Sequence, residues 1–104
     1  MEFKNVTVVK KANVYFDGKV TSRTIHCADG TTKTLGFMQV GEYTFTTGKA
    51  EIMEFMSGEL TVDLPHYKEP LVIKGSGTFE VPAQSSFTLH VSDPADYCCS
   101  FIDA

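Results

Sequence analysis

The 104-residue sequence has room for one domain, and a domain of this length buries roughly 65% of its unfolded surface. Its net charge of −4 and nine scattered basic residues argue against a general nucleic-acid binder, because phosphate backbones are held by clustered Lys and Arg. No apolar run reaches the length of a membrane span. Lysines also interrupt the first 16 residues, which therefore lack the apolar core of a signal peptide. We expect a cytoplasmic protein with no membrane partner.

Short β-type segments separated by turn signals follow one another along the whole chain. The predicted strands are 5–9, 13–16, 19–27, 32–40, two segments on either side of Gly48 within 41–58, 60–64, 71–73, 78–81, 86–91 and 97–102. The turn signals are Asp17-Gly18, Asp29-Gly30, Ser57-Gly58, GSG at 75–77 and SDPAD at 92–96. No window has a sustained helical period. The sequence therefore predicts an all-β chain whose many short strands close into a small barrel or sandwich.

The three cysteines, Cys27, Cys98 and Cys99, are an odd set with two adjacent members. Neighbouring residues on a strand point to opposite faces, so Cys98 and Cys99 are poorly placed to bridge each other. Their spacing does not match a paired-cysteine zinc site. We expect buried free thiols in a reducing cytoplasm.

The stretch GEYTFTTGKAEIMEFMSG at 41–58 carries an unusual row of side chains. In an extended chain alternate residues share a face, and here that face holds Tyr43, Phe45, Thr47, Lys49, Glu51, Met53 and Phe55. A polar centre inside an apolar row is either a strand end that reaches solvent or the floor of a pocket. Glu54 has the opposite parity from Glu51 and is expected on the other face.

The layout of the chain resembles the two-motif pattern of a cupin. Gly41 stands at the glycine of the first motif, but Thr47 and Lys49 occupy its His-x-His positions. In the second motif Pro82 stands where a proline is expected, and Phe87 occupies the histidine position. Because every histidine ligand of the cupin metal is missing, we expect no metal and no other cofactor.

A narrower resemblance is to the pyrimidine/purine nucleoside phosphorylase family of small cupin-like proteins. It covers residues 14–101 and rests on VYFDGKV at 14–20, GEYTFTT at 41–47, Glu51, Met53, Ser57-Gly58, LTVDLP at 60–65, FEVPAQSSFTLHV at 79–91 and Tyr97-Cys98. Two features depart from the family: Pro70 stands where members tend to have Trp, and residues 1–13 extend beyond the usual start. The resemblance implies a single double-stranded β-helix, or jelly-roll, domain over 14–104, with residues 1–13 as an extension or edge strand.

The resemblance also implies phosphorolysis of nucleosides by inorganic phosphate, which gives ribose 1-phosphate and a free purine or pyrimidine base. In that reaction Glu51 and Gln84 are the candidate catalytic residues, acting on the cation-like sugar and its hydroxyls. Lys49 with Ser22 and Thr47 is the favoured phosphate-binding set. Aromatic side chains would stack on the base without selecting one base, and the candidates are Tyr43, Phe45 and Phe87.

Two other classes of function remain open at this level. One is a non-catalytic cupin module that binds a small molecule without turning it over. The other, a metal-dependent cupin oxygenase or isomerase, is disfavoured by the missing imidazoles. Exposed sheet edges in so short a chain lead us to expect a homodimer.

Overall fold

The computed structural model describes residues 2–102, which form nine β-strands in one sheet and one 3₁₀ turn. The strands are β1 (Thr7–Val8), β2 (Asn13–Tyr15), β3 (Val20–His26), β4 (Thr32–Met38), β5 (Gly41–Thr46), β6 (Ala50–Asp63), β7 (Leu71–Lys74), β8 (Gly77–Val81) and β9 (Ser86–Ile102); the turn is Phe16–Gly18. Every strand pairing is antiparallel. The predicted all-β class is confirmed. Within the described range, no helix has the length and apolar character needed to cross a membrane.

The two longest strands, β6 and β9, pair with each other and organise the sheet. Along its other edge β9 pairs first with β5, from residue 86 to 91, and then with β4, from residue 95 to 100. The other edge of β6 pairs with β8 over residues 51–55 and with β7 over residues 59–62. At the far end of the sheet, β3 pairs with β4 and also with β1 and β2.

Two predicted chain reversals are wrong, because both segments continue as strands. Ser57-Gly58 lies inside β6, where the register with β9 shifts at three points and the strand bulges. SDPAD at 92–96 lies inside β9, at the point where its partner changes from β5 to β4. Pro94 pairs with no residue there, so its missing N–H removes no ladder hydrogen bond.

The inward face of the sheet forms one hydrophobic core. Its largest fully buried side chains come from six of the strands and are Tyr43, Phe55, Met38, Leu60, Leu89, Val20, Val62 and Val81. Residues on one face of a sheet can meet in one cluster only if the sheet curls on itself. The curl encloses the inward-facing residues of β3, β4, β5, β6 and β9, and it is between these strands that a cavity forms.

Gly58 allows the bulge of β6 to lie against β9. Its φ of +110° is a conformation that side-chain-bearing residues rarely adopt. A Cβ atom at this position would lie 2.6 Å from the Ala95 Cα and 2.7 Å from the Pro94 carbonyl oxygen. These neighbours are backbone atoms that cannot rotate away, so only glycine fits.

Replacing Gly58 with Ala should therefore destabilise the fold. The strained φ alone costs about 1–3 kcal/mol, and the contact with Ala95 adds to it. Gly48→Ala is the matched control, because a Cβ at Gly48 meets nothing within 4 Å. Chemical denaturation of both variants measures the difference in the free energy of unfolding. Equal stability of the two variants would contradict this account of the bulge.

Candidate active site

A cavity of about 560 Å³ opens at one end of the curled sheet, within the usual size range of small-molecule sites. Its wall has an aromatic part made by Tyr15, Phe16, Phe45, Phe87, Tyr97 and Phe101. Its polar part consists of Glu51 with the hydroxyl-bearing residues Ser22, Thr34, Thr44 and Thr46. No Lys, Arg or His is among the described residues that line it.

Glu51 is the one carboxylate on the described wall of this cavity. The Cys99 thiol on the neighbouring strand donates to its Oε1 over 3.4 Å. Burial raises the pKa of Glu51, and the hydrogen bond from Cys99 partly opposes that rise. Burial, and then the negative charge of Glu51, raise the pKa of Cys99 far above that of a free thiol. The thiol therefore stays protonated and holds the carboxylate, so Cys99 is not a thiolate nucleophile.

Glu54 lies three residues along the same strand but on the outer face. It is exposed and lines a separate, mainly apolar groove together with Phe3, Leu35 and Cys98. The predicted opposite orientation of Glu51 and Glu54 is confirmed. Cys98 and Cys99 likewise face opposite sides, and both are buried free thiols as predicted, whereas the free thiol of Cys27 is half-buried.

Ser22 and Tyr97 meet on the polar side of the cavity. Ser22 is 4% exposed, and its Oγ accepts a hydrogen bond from the Asn13 side-chain amide over 3.2 Å. Ser22 and Tyr97 both pair with Gly36, one on each side of it. Burial raises the pKa of the Tyr97 phenol, and the Ser22 hydroxyl partly opposes that rise. Sequence reasoning selected Ser22 but missed Tyr97. The available signal was Gly36, since a glycine inside a strand often marks a close approach.

Four aromatic rings meet on the wall of the cavity. Phe45 stacks on Phe87 at 5.9 Å between ring centroids, and the edges of Phe16 and Tyr15 approach it at 5.4 and 5.9 Å. Tyr15 and Phe16 are 45% and 41% exposed, so large aromatic surfaces remain open to a ligand. Phe16 has a φ of 51°, which is rare for a bulky residue and is typical of strained functional segments. The VYFDGKV match contains both residues, but sequence reasoning gave them no role.

Two of the predicted binding residues are buried beside the cavity rather than on its described wall. The Thr47 hydroxyl donates to the Pro82 carbonyl over 2.7 Å and accepts from the Ser85 amide over 3.0 Å. It thereby joins the turn after β5 to the loop before β9. Tyr43 lies in the core, and its hydroxyl donates to the Gln39 carbonyl over 2.7 Å.

Gln84 and Lys49 lie at the rim of the cavity. Both residues are exposed, and the backbone N–H of Gln84 donates to the carbonyl of Gly48, which lines the cavity, over 3.2 Å. Lys49 follows Gly48 directly. The structure thus brings Glu51, Ser22 and Phe87 together in the cavity and places Lys49 and Gln84 at one edge of it.

The donor groups of this site do not suit a metal ion. Within residues 2–102 no group of three or more His, Cys, Asp or Glu side chains could hold one, and the thiol and carboxylate on the wall bond to each other. Independence from metals stays a prediction that chelation can test.

The fold and the cavity define a small cupin-like protein with a carboxylate and aromatic rings in its pocket. An RmlC-like cupin from Shewanella frigidimarina has the same fold, with a TM-score of 0.70 at 13% identity over 97% of this chain and 86% of that one. The cupin-like fold class is thereby confirmed.

Comparison with known sequences identifies the family within this class. The model of the family described as pyrimidine/purine nucleoside phosphorylase matches residues 10–101. The chain belongs to this family, and the resemblance found in the sequence is confirmed. Proteins named pyrimidine/purine nucleoside phosphorylase are 59% identical in Citrifermentans bemidjiense, over 97% of this chain and 98% of theirs, and 56% identical in Wolinella succinogenes, over 96% and 95%.

A solved protein of unknown function from Acinetobacter sp. ADP1 shows the same architecture. It is 38% identical, has a TM-score of 0.91 and covers 97% of this chain and 98% of its own. The alignment with the Citrifermentans protein extends over 101 of the 104 residues. Most of the segment 1–13 is therefore shared with such relatives and is not peculiar to this chain.

The buried carboxylate leads to a prediction about stability. Because the pKa of Glu51 is raised in the folded state, its contribution to stability is fully present below its ordinary pKa of 4.5 and is lost as the pH rises through the raised value. Glu51→Gln cannot ionise, so its Tm should exceed that of the unmodified protein at pH 7. The excess should shrink as the pH falls through the raised pKa of Glu51 and should vanish below 4.5.

Glu54→Gln is the control for this comparison, because Glu54 is exposed on the outer face. Its Tm should follow that of the unmodified protein across the same pH range. Thermal melts of the three proteins between pH 4 and 8 provide the measurement. The Tm difference between Glu51→Gln and the unmodified protein should be larger at pH 7 than at pH 4. A smaller difference at pH 7 would contradict the claim that burial disfavours the ionised form of Glu51.

Proposed function

We propose that this chain is a metal-independent nucleoside phosphorylase of broad specificity and that the cavity around Glu51 is its active site. An oxygen of hydrogen phosphate forms a bond to C1′ of the ribose while the C1′–N bond breaks. The electron pair of that bond leaves with the base. The proton of the hydrogen phosphate ends on the base, so the products are ribose 1-phosphate and a neutral purine or pyrimidine.

The buried carboxylate of Glu51 is the observation that carries this proposal. As the C1′–N bond breaks, positive charge develops on the sugar, and a nearby carboxylate stabilises it most strongly where water is excluded. Glu51 is half-buried in the cavity, and the Cys99 thiol holds one of its oxygens. Partial burial raises the pKa of this carboxylate and lowers the stability of the fold. Groups with a pKa perturbed in this way are often catalytic.

The aromatic wall supports broad base specificity. Stacking engages the π-face that every base has, and it discriminates weakly between bases. Phe45 and Phe87 supply stacked rings, and Tyr15 and Phe16 add open aromatic surface. None of the described lining residues is an Asn, Gln, Arg or Lys that could read a base edge with two hydrogen bonds. Purines and pyrimidines would therefore both be accepted.

The rim beside Gly48 is the proposed entry for phosphate. Phosphate needs positive charge and hydrogen-bond donors, and the wall itself has no cation among its described residues. Lys49, which follows Gly48 directly, is the proposed source of positive charge for phosphate, with Ser22 and Thr47 as the proposed hydroxyl groups nearby. Gln84 on the adjoining loop offers its amide to a ribose hydroxyl.

Exchange of Glu51 for Gln tests the proposal directly. The variant keeps the size of the side chain but removes the charge, so kcat for uridine and inosine should fall on the order of 100-fold. Glu54→Gln should retain the activity of the unmodified protein. The assay is phosphate-dependent release of base, after circular dichroism has shown that both variants are folded.

Three outcomes of this assay would count against the proposal. Equal activity of the two variants would remove Glu51 from catalysis. Loss of activity only in Glu54→Gln would place the chemistry on the outer face. Nucleoside binding with no turnover by the unmodified protein would favour the non-catalytic binding module.

Metal independence has its own test. Exhaustive chelation followed by gel filtration should leave turnover unchanged, because the described donors at the site do not form a metal cluster. Loss of activity that zinc, iron or manganese restores would show that this part of the proposal is wrong.

A homodimer is the proposed assembly. The strands β1 and β2 pair only with β3 in the described structure, and they leave Val8 and Val14 51% and 60% exposed. Such an edge is suited to pairing with a second copy. Light scattering should give about twice the monomer mass of 11.5 kDa, and a mass equal to the monomer would contradict the dimer.

A further inference from the structure

The hydrogen bonds around Ser22 have a defined direction. The Asn13 side-chain amide donates to the Ser22 Oγ and also to the Thr24 Oγ1, each over 3.2 Å. An amide NH₂ group can only donate, so Ser22 acts as acceptor toward Asn13. The proton of the Ser22 hydroxyl is then available to the phenol of Tyr97, because Ser22 and Tyr97 both pair with Gly36, one on each side of it, and both line the cavity. When Tyr97 accepts this bond, its own O–H is left for a group in the cavity.

The fold gives the Tyr97 ring a place that a side chain on the neighbouring strand would block. Gly36 on β4 pairs directly with Tyr97 on β9. A Cβ on Gly36 would lie 2.5 Å from the Tyr97 Cζ. Glycine inside a strand weakens the strand. At this position it has a structural reason, because any larger residue would displace the Tyr97 ring.

Tyr97 is also close to both functional parts of the cavity. It lines the cavity, and its phenol interacts electrostatically with Glu51 and with Tyr15. Glu51 is the group assigned to the sugar, and Tyr15 belongs to the aromatic group assigned to the base. A hydroxyl in the same cavity as both groups is suitably placed to act on the bond that breaks.

We propose that Tyr97 is a further catalytic residue, which donates a hydrogen bond to the base as it leaves, and that Asn13 positions it through Ser22. This inference rests on the proposed phosphorylase function. As the C1′–N bond breaks, its electron pair moves onto the base, and a fixed donor stabilises that charge. Tyr97 keeps its proton throughout, because the base receives its proton from hydrogen phosphate.

The environment of the phenol suits this role. Burial raises the pKa of Tyr97 well above its ordinary value, so the hydroxyl keeps its proton and remains a donor at neutral pH. A lysine or histidine donor would add a positive charge beside the cation-like sugar, which a neutral phenol does not. Ser22 and Asn13 fix the orientation of the hydroxyl before the substrate arrives.

Tyr97→Phe is the main test, with inosine and 7-methylinosine as paired substrates. The base of 7-methylinosine already carries a positive charge and leaves as a neutral molecule, so it needs little help from a donor. With inosine, kcat should fall on the order of 100-fold while KM changes less. With 7-methylinosine the loss should be less than about tenfold. Tyr67→Phe, the same change at an exposed tyrosine in a loop, should leave both rates unchanged.

Asn13→Ala and Ser22→Ala test the positioning of the phenol without removing it. Both should lower kcat for inosine less than Tyr97→Phe does, and both should again spare 7-methylinosine. Replacing a residue that has only a structural role would lower kcat for the two substrates equally. Circular dichroism and Tm confirm the folding of each variant, and the two positioning variants carry the test if Tyr97→Phe does not fold.

Unchanged kcat in Tyr97→Phe, or an equal loss with both substrates, would overturn this inference and leave the proposed function standing. Absence of phosphate-dependent base release by the unmodified protein would overturn both. The leaving-group dependence therefore separates the role of Tyr97 from the role of the cavity as a whole.

Discussion

The antiparallel pairing of β6 with β9 is the interaction on which the rest of the structure depends. It runs from Ala50↔Ile102 to Asp63↔Thr88, through the bulge at Gly58. The pairing fixes which residues of each strand face inward, and it sets Glu51 beside Cys99. Because β4 and β5 pair with the other edge of β9, the register also decides which parts of those strands line the cavity.

The cavity contains a carboxylate whose burial lowers stability, and the surrounding hydrophobic core compensates for that loss. A half-buried carboxylate disfavours its own charged form, and the raised pKa of Glu51 reflects that cost. The surrounding aromatic core supplies enough hydrophobic burial to hold such a group in place. The same exclusion of water that makes the charge of Glu51 unfavourable for stability would strengthen its proposed interaction with a positively charged sugar.

The sequence predicted the residues that depend on local alternation. The period of two placed Glu51 and Glu54 on opposite faces, and adjacency placed Cys98 and Cys99 on opposite faces; the structure has both arrangements. The family followed from motifs spread over most of the chain and is confirmed.

Features that depend on distant pairing could not be predicted in the same way. The local sequence Ser57-Gly58 is compatible with both a chain reversal and a β-bulge. Only the pairing of β6 with β9 decides between the two. Tyr97 enters the site because Gly36, far away in sequence, leaves space for its ring. The hydrogen bonds of the Thr47 hydroxyl with the backbone of the loop before β9 could not be predicted either, because they join residues about 35 positions apart.

The central claim is that this cavity transfers the ribose of a nucleoside to phosphate. Its most direct test is a product balance for the purified protein with uridine and inosine, with and without inorganic phosphate. We expect free base and ribose 1-phosphate in equal amounts, formed only when phosphate is present. Base released without phosphate, together with free ribose, would indicate hydrolysis and contradict the account, as would the absence of any product.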